Sequence, residues 1–157
     1  EELFRYSVIS SVSDLNYEKV DVGRVLEDTL ISFYGAFEQK NITPQISLPS
    51  STISRSLDKS ALARIFGNII SNAVKYSDGD FTVTMTNTGE ITFSNTASEF
   101  SSVDVGKLFD RFYTVDSARK STGLGLSIAK LLTERMGGCI SADYKVDTLS
   151  ITLAFKE

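Results

Sequence analysis

The sequence predicts an α/β two-layer sandwich, with three helices packed on one face of a mixed sheet of about five strands. Two observations carry that prediction. Apolar residues recur at helical spacing in three segments, and elsewhere they alternate at period two in short runs joined mainly by hairpin turns. Residues 1–15 hold Leu3, Phe4, Val8, Ile9, Val12 and Leu15 at a loose helical spacing. Residues 1–16 therefore read as the tail of a preceding helix or a connector, and 17–157 as the domain. From Asp21, an N-cap, Val22, Leu26, Leu30, Phe33 and Phe37 predict one helix ending near Lys40. Ile42 to Leu48 reads as a strand that Pro44 confines to an edge. A second helix is expected from Asp58 to about Ser77, with Leu62, Ile65, Phe66, Ile69 and Ala73 on one stripe. Asp78-Gly79-Asp80 ends it. Phe81, Val83 and Met85, a turn at Thr88-Gly89, then Ile91 and Phe93 predict a hairpin. Residues 94–107 read as a long loop and Leu108 to Tyr113 as a short apolar cluster. A third helix is expected from about Gly123 to Met136, stopped by Gly137-Gly138. Ile140–Tyr144 and Leu149–Phe155 are the last two strands, the latter with a clean alternation.

Composition narrows the chemistry. The chain has 157 residues, 41% of them hydrophobic and 23% charged, with a net charge of −4. That is a globular balance, and it argues against nucleic acid as a partner. No run of about 18 apolar residues is present, so no membrane-spanning segment is expected. The chain opens on Glu1-Glu2 and reads as a fragment of something longer. With no histidine there is no Ser-His-Asp or Cys-His machinery. A zinc site on one cysteine and carboxylates is equally out of reach. Cys139 reads as a small buried hydrophobe.

Three segments carry candidate chemistry. Asn68 and Asn72, four residues apart, project from one helix face, roughly 120° from the apolar stripe, with Lys75 beside them. An amide oxygen can hold Mg²⁺ while leaving its charge for phosphates, and lysine suits phosphate oxygens. Tyr76 offers a ring that can pack near a base. The same positions also suit a solvated helix face with a half-buried tyrosine. Gly123-Leu124-Gly125-Leu126, with Thr122 before it, sits where a loop enters a helix. Glycines there admit close backbone approach, and free N–H groups attract anions. Arg119 and Lys120 add positive charge just ahead. Leu108-Phe109-Asp110-Arg111-Phe112-Tyr113 suits a segment that folds over a ligand, and equally a hydrophobic loop anchor.

In this order and spacing the segments resemble the catalytic, ATP-binding domain of sensor histidine kinases, within the GHKL ATPase superfamily and its Bergerat fold. NIISNAVKYS resembles that family's N box. LFDRFYTVDSARKSTGLGLSIAKLL resembles its F box, a short lid and the second glycine box. The likeness runs from about residue 17 to the end. It implies Mg–ATP binding, with Asn72 on Mg²⁺ and Asn68 beside it, Lys75 on phosphate and Tyr76 near adenine or ribose. Thr122, Gly123, Leu124, Gly125 and Leu126 would wrap the phosphates, and Arg119 and Lys120 would belong to the lid. It further implies transfer of the γ-phosphoryl to a histidine on a separate dimerisation domain of the same protein, and onward to a response regulator. A monomeric fragment, a homodimeric full-length protein and a cytoplasmic domain of a membrane-anchored parent are implied as well. The family's Asp-x-Gly-x-Gly box is altered: Asn95-Thr96-Ala97-Ser98-Glu99 stands in its place. Asn95 keeps a carbonyl acceptor for the adenine amino group without its charge. Ser121 also replaces a frequent glycine. The alternatives are a nucleotide-binding regulatory module with weak or no kinase activity, a serine kinase of the anti-sigma type, and an interaction domain that binds no nucleotide.

Overall fold

The computed structural model of the protein describes residues 14–99, 105–110 and 125–157. In chain order the elements are β1 (Glu18–Asp21), α1 (Val22–Ser32), α2 (Tyr34–Gln39), β2 (Gln45–Ser47), β3 (Ser54–Leu57), α3 (Lys59–Tyr76), β4 (Thr82–Met85), β5 (Ile91–Thr96), α4 (Gly125–Arg135), β6 (Cys139–Lys145) and β7 (Thr148–Ala154). A five-stranded sheet has the order β2-β4-β5-β7-β6. Only β2–β4 is parallel; the other three pairings are antiparallel. The helices cover one face, as the sequence predicts. None among the described residues is long and apolar enough to cross a membrane.

The alternation of the strands decides which face is covered. On β5 and β7, Ile91, Phe93, Leu149, Ile151 and Leu153 are buried against the helices. The opposite face is paved with hydroxyls: Ser94 and Ser150 meet at 2.9 Å across the β5–β7 pair, and Thr92 and Thr152 at 3.4 Å. This is the pattern of an antiparallel sheet with one face in the core and the other toward water. Beneath the helices runs a series of rings. Phe37 lies 5.6 Å from Phe81, Phe81 lies 6.4 Å from Phe93, and Phe93 lies 6.1 Å from Phe66 of α3. Those spacings fall in the favoured range for aromatic pairs.

Four expectations need correction. The helix from Asp21 to Lys40 is two helices. Phe33, at φ −99° and ψ 2°, caps the end of α1 and opens α2. Its N–H reaches back only three residues, to Leu30 O at 3.0 Å, so the chain turns there and delivers Phe37 to the ring series. The second correction adds a small antiparallel sheet, β1 with β3, pairing Glu18–Asp21 with Ser54–Leu57. It buries Val20 and Leu57. Arg55 fastens it to the main sheet through Thr88 O at 2.7 Å and Phe155 O at 3.4 Å. Gly89 suits the turn beside it, because its φ of +91° is a conformation that L side chains rarely adopt. Third, β5 continues through Ser94, Asn95 and Thr96, residues expected in a loop, since they stay paired with Ser150, Leu149 and Thr148. Fourth, Cys139 is exposed. It faces outward on the edge strand β6, whose alternation turns Ile140 inward instead.

The helix starting after Asp58 is found as expected. Leu62, Ile65, Phe66, Ile69 and Ala73 are buried, joined by Ala61, Ile70 and Tyr76. Each large side chain so buried contributes about 1.5–3 kcal/mol relative to an exposed position. Asp58 caps the helix by accepting from Ala61 N at 2.9 Å, and its other oxygen accepts from Asn16 N at 2.8 Å. One carboxylate therefore starts α3 and fixes the chain entering the domain. Gly137, at φ +79°, ends α4 as the Gly-Gly pair predicts.

The backbone N–H groups of Ala61 and Asn16, with that of Ser60, outweigh burial and hold the Asp58 carboxyl below its ordinary value of 3.8. A depressed folded pKa adds stability that is present above the unfolded value and lost as pH falls through the folded one. Asp58→Ala is therefore expected to reduce unfolding free energy by about 1 kcal/mol or more at pH 7. That deficit should narrow progressively below pH 3.8. Urea unfolding at neutral and acid pH measures it; a deficit of equal size in both conditions contradicts the assignment.

Candidate functional site

Three elements meet beside the apolar stripe of α3. The first is the flank of α3 itself. Asn68, Asn72 and Lys75 are half-buried there, and Tyr76 is only 5% exposed. The second is the end of β5, where Asn95 is 3% exposed and turned toward the helix layer with Ile91 and Phe93. The third is the start of α4, which begins at Gly125 with Leu126 buried.

Asn68 spans two of these elements. Its Nδ2 donates to Gly125 O at 2.8 Å, across 57 residues of sequence. It thereby fixes where α4 begins relative to α3. Asn72, one turn further along, has a side-chain nitrogen that is buried and finds no hydrogen-bond partner among the described residues. Buried polar groups are nearly always satisfied. Rotating the amide about its last bond exchanges nitrogen and oxygen and sets the oxygen in that position. An amide oxygen in that position suits a hard cation such as Mg²⁺, which takes few protein ligands and completes its shell with phosphate and water. Among the described residues no three of His, Cys, Asp and Glu gather to hold a metal. Lys75 Nζ lies 5.6 Å from the centroid of the Tyr76 ring. That contact keeps the ammonium close to the helix flank.

At the other end, Asn95 Nδ2 donates to Thr96 O at 3.0 Å. A backbone carbonyl can only accept, so this bond fixes the amide orientation and leaves Oδ1 as the accepting end. Thr96 is in turn held by Asp80, whose Oδ1 accepts from Thr96 N at 2.8 Å and Thr96 Oγ1 at 2.6 Å. Burial alone would raise the Asp80 pKa. The hydroxyl and amide of Thr96, with Asp80's own amide and the Ser77 hydroxyl, outweigh it and hold the carboxyl below its ordinary value. The sequence marks Asp80 only as part of a helix-ending turn, because its partner lies 16 residues away.

Of the remaining predicted residues, Arg119, Lys120, Thr122, Gly123 and Leu124 lie outside the described residues, as does the segment from Arg111 to Tyr113. Leu108 is buried, and Phe109 packs beside α4 with its ring 5.9 Å from Lys130 Nζ. A groove of about 380 Å³ between α1 and α3, lined by Val25, Thr29, Phe33, Lys59, Ala63 and Gly67 among others, lies elsewhere. Counting about 100° per residue, Ala63 and Lys59 sit roughly 140–180° around α3 from Asn68 and Asn72.

Comparison with known proteins bears on family and fold. The family described as "Histidine kinase-, DNA gyrase B-, and HSP90-like ATPase" matches residues 57–156. The protein belongs to that family. It is 32% identical over 156 residues to the sensor protein VanSC of Enterococcus gallinarum, an alignment covering 94% of this chain and 42% of that protein. The chain spans half or less of the length of the curated relatives it matches. Among solved structures it is similar to the catalytic domain of histidine kinase ThkA, with a TM-score of 0.77 at 17% identity, covering 88% of this chain and 96% of that one. It is also similar to full-length ShkA in complex with AMPPNP, with a TM-score of 0.72 at 24% identity, covering 89% of this chain and 31% of that one. These two likenesses are of fold.

The Asn68–Gly125 bond has a signed consequence. Asn68→Ala is expected to reduce unfolding free energy by about 1 kcal/mol. Asn68→Asp should cost more, because it sets a carboxylate against a carbonyl oxygen with no donor between them. Urea unfolding of the three proteins tests the order; Asp no worse than Ala contradicts the bond.

Proposed function

We propose that this chain is the ATP-binding catalytic domain of a two-component sensor histidine kinase. The observation that carries the reading is the convergence of the α3 amide flank, the end of β5 and the start of α4 in a chain of this family. Asn72 would hold Mg²⁺, with Asn68 setting the geometry beside it. Lys75 would meet phosphate oxygens, and Tyr76 would line the wall next to the purine. Asn95 Oδ1 would accept from the adenine amino group. Residues Thr122 to Leu126 would wrap the phosphates, with Arg119 and Lys120 in the lid. When bound, Mg²⁺ supplies neutralisation of phosphate charge. The chain's own part is to position the nucleotide and exclude water, the main contributions a protein makes to phosphoryl transfer.

The acceptor must come from outside, since the chain has no histidine. We assign that role to a histidine-containing dimerisation domain of the same protein, with residues 1–16 as the connector from it and 17–157 as the domain proper. A response regulator would receive the phosphoryl group next. The full-length protein would be a homodimer anchored to a membrane, with this domain in the cytoplasm. One observation favours a second reading, a nucleotide-binding regulatory module without transfer: the neutral Asn95 where the family carries an aspartate.

Titration with ATP, with and without Mg²⁺, tests the reading. The parent is expected to bind ATP more tightly with Mg²⁺, and Asn72→Ala to lose at least about tenfold of the Mg²⁺-dependent affinity. Adding a histidine-containing dimerisation domain and following its phosphorylation separates the two readings. No binding by the parent contradicts both, and binding without transfer leaves the regulatory module.

A further inference from the structure

The end of β5 is held more completely than strand pairing requires, and by groups that lie outside the proposed nucleotide contacts. On one side stands the turn that ends α3. Ser77 Oγ accepts from Gly79 N and Asp80 N, both at 2.9 Å, and shapes the turn. Asp80 Oδ1 then takes both the amide and the hydroxyl of Thr96, at 2.8 and 2.6 Å. Asp78 N donates to Thr96 O at 2.9 Å, and Asp78 Oδ2 accepts from Ser98 N at 2.9 Å. On the other side stands the β6–β7 turn. Asp147 O accepts from Ala97 N at 2.8 Å, and Tyr144 Oη donates to Ala97 O at 2.9 Å. Val146 and Asp147 sit at φ 49° and 59° in that turn, a conformation usual for Asn-Gly and unfavourable for a β-branched residue. Every backbone N–H and C=O of Thr96 and Ala97 is therefore engaged.

We propose that Asp80 is a positioning residue that sets the purine preference of the site through Thr96. This rests on the Mg–ATP reading above. The path is short. Asp80 holds Thr96, Thr96 O accepts from Asn95 Nδ2, and that bond makes Oδ1 the opposite end of the amide, the end that the Mg–ATP reading sets against the adenine amino group. An outward carbonyl accepts from the amino group of adenine and repels the carbonyl of guanine. If Thr96 shifts, its oxygen no longer pins Nδ2, and the amide can turn end for end. The nitrogen then faces the site and donates to guanine instead. Asp80 is not among the proposed nucleotide contacts and bonds to Thr96 and Ser77 instead, so its effect acts on discrimination more than on phosphate binding.

The test compares Mg–ATP and Mg–GTP binding by the parent, Asp80→Ala and Thr96→Val. The parent should prefer ATP. In Asp80→Ala, ATP affinity should fall about tenfold, the scale of one charge-assisted hydrogen bond, while GTP affinity holds or rises. Thr96→Val, which removes only the hydroxyl, should narrow the preference less, and Asp80→Asn, which keeps an acceptor oxygen, should restore part of it. ATP and GTP affinities that fall in equal proportion in Asp80→Ala, or an unchanged ratio in both Asp80→Ala and Thr96→Val, overturn the role of Asp80 alone. A parent that binds no ATP overturns the nucleotide reading itself, and this role with it. If Asp80→Ala fails to fold, the Thr96→Val ratio decides.

Discussion

Everything in this domain hangs on α3 serving two environments at once. Eighteen residues long, it buries one stripe against the sheet, with Phe66 over Phe93, and presents amides and a lysine along a flank next to that stripe. The buried stripe supplies rigidity that polar residues cannot. Asn is a poor interior helix residue, because its side chain competes for backbone hydrogen bonds. Two of them within one turn are tolerated here because packing on the other side overrides propensity. The Asp58 cap at one end and the Ser77–Asp80 turn at the other fix the length of the helix, and so the level at which each amide emerges.

Electrostatics explain why a neutral amide suits position 95. The carboxylates of Asp78 and Asp80 both accept from the backbone of this segment, at Ser98 N and Thr96 N. A third carboxylate, 3% exposed and beside those two, would bear a large desolvation cost and like-charge repulsion. Asparagine keeps the acceptor oxygen without the charge. Its weakness is that an amide has two ends, and a carboxylate does not. The hydrogen bond to Thr96 O answers that weakness. The neighbouring acids, which make a charged residue at 95 unfavourable, also hold the neutral one in a single orientation.

Much of this was legible in the sequence where a pattern is long and local. The α3 stripe repeats through five positions, and β7 alternates through four, so both could be read and both are found. The break at Phe33 was hidden because the apolar spacing continues through it into Phe37. The β1–β3 pair was hidden because Ser54–Leu57 is short and mostly polar, and its partner lies more than thirty residues away. Cys139 was misread because burial on an edge strand depends on which face the alternation selects. On α3, the shared flank of Asn68 and Asn72 is legible from their helical spacing. The bond from Asn68 to Gly125 and the hold of Asp80 on Thr96 were not, because both are contacts across the fold, with no local spacing to mark them.

The central claim is that the space bounded by the α3 flank, the end of β5 and the start of α4 receives a magnesium nucleotide. Side-chain amide NMR tests it most directly. On addition of Mg–AMPPNP, the resonances of the Asn72 and Asn95 NH₂ groups should move most, followed by the backbone amides of Lys75, Tyr76 and Leu126. Residues lining the α1–α3 groove, Val25, Ala63 and Gly67, should stay where they are. Shifts concentrated in that groove, or unmoved Asn72 and Asn95 amides at a nucleotide concentration that saturates binding, would contradict the account.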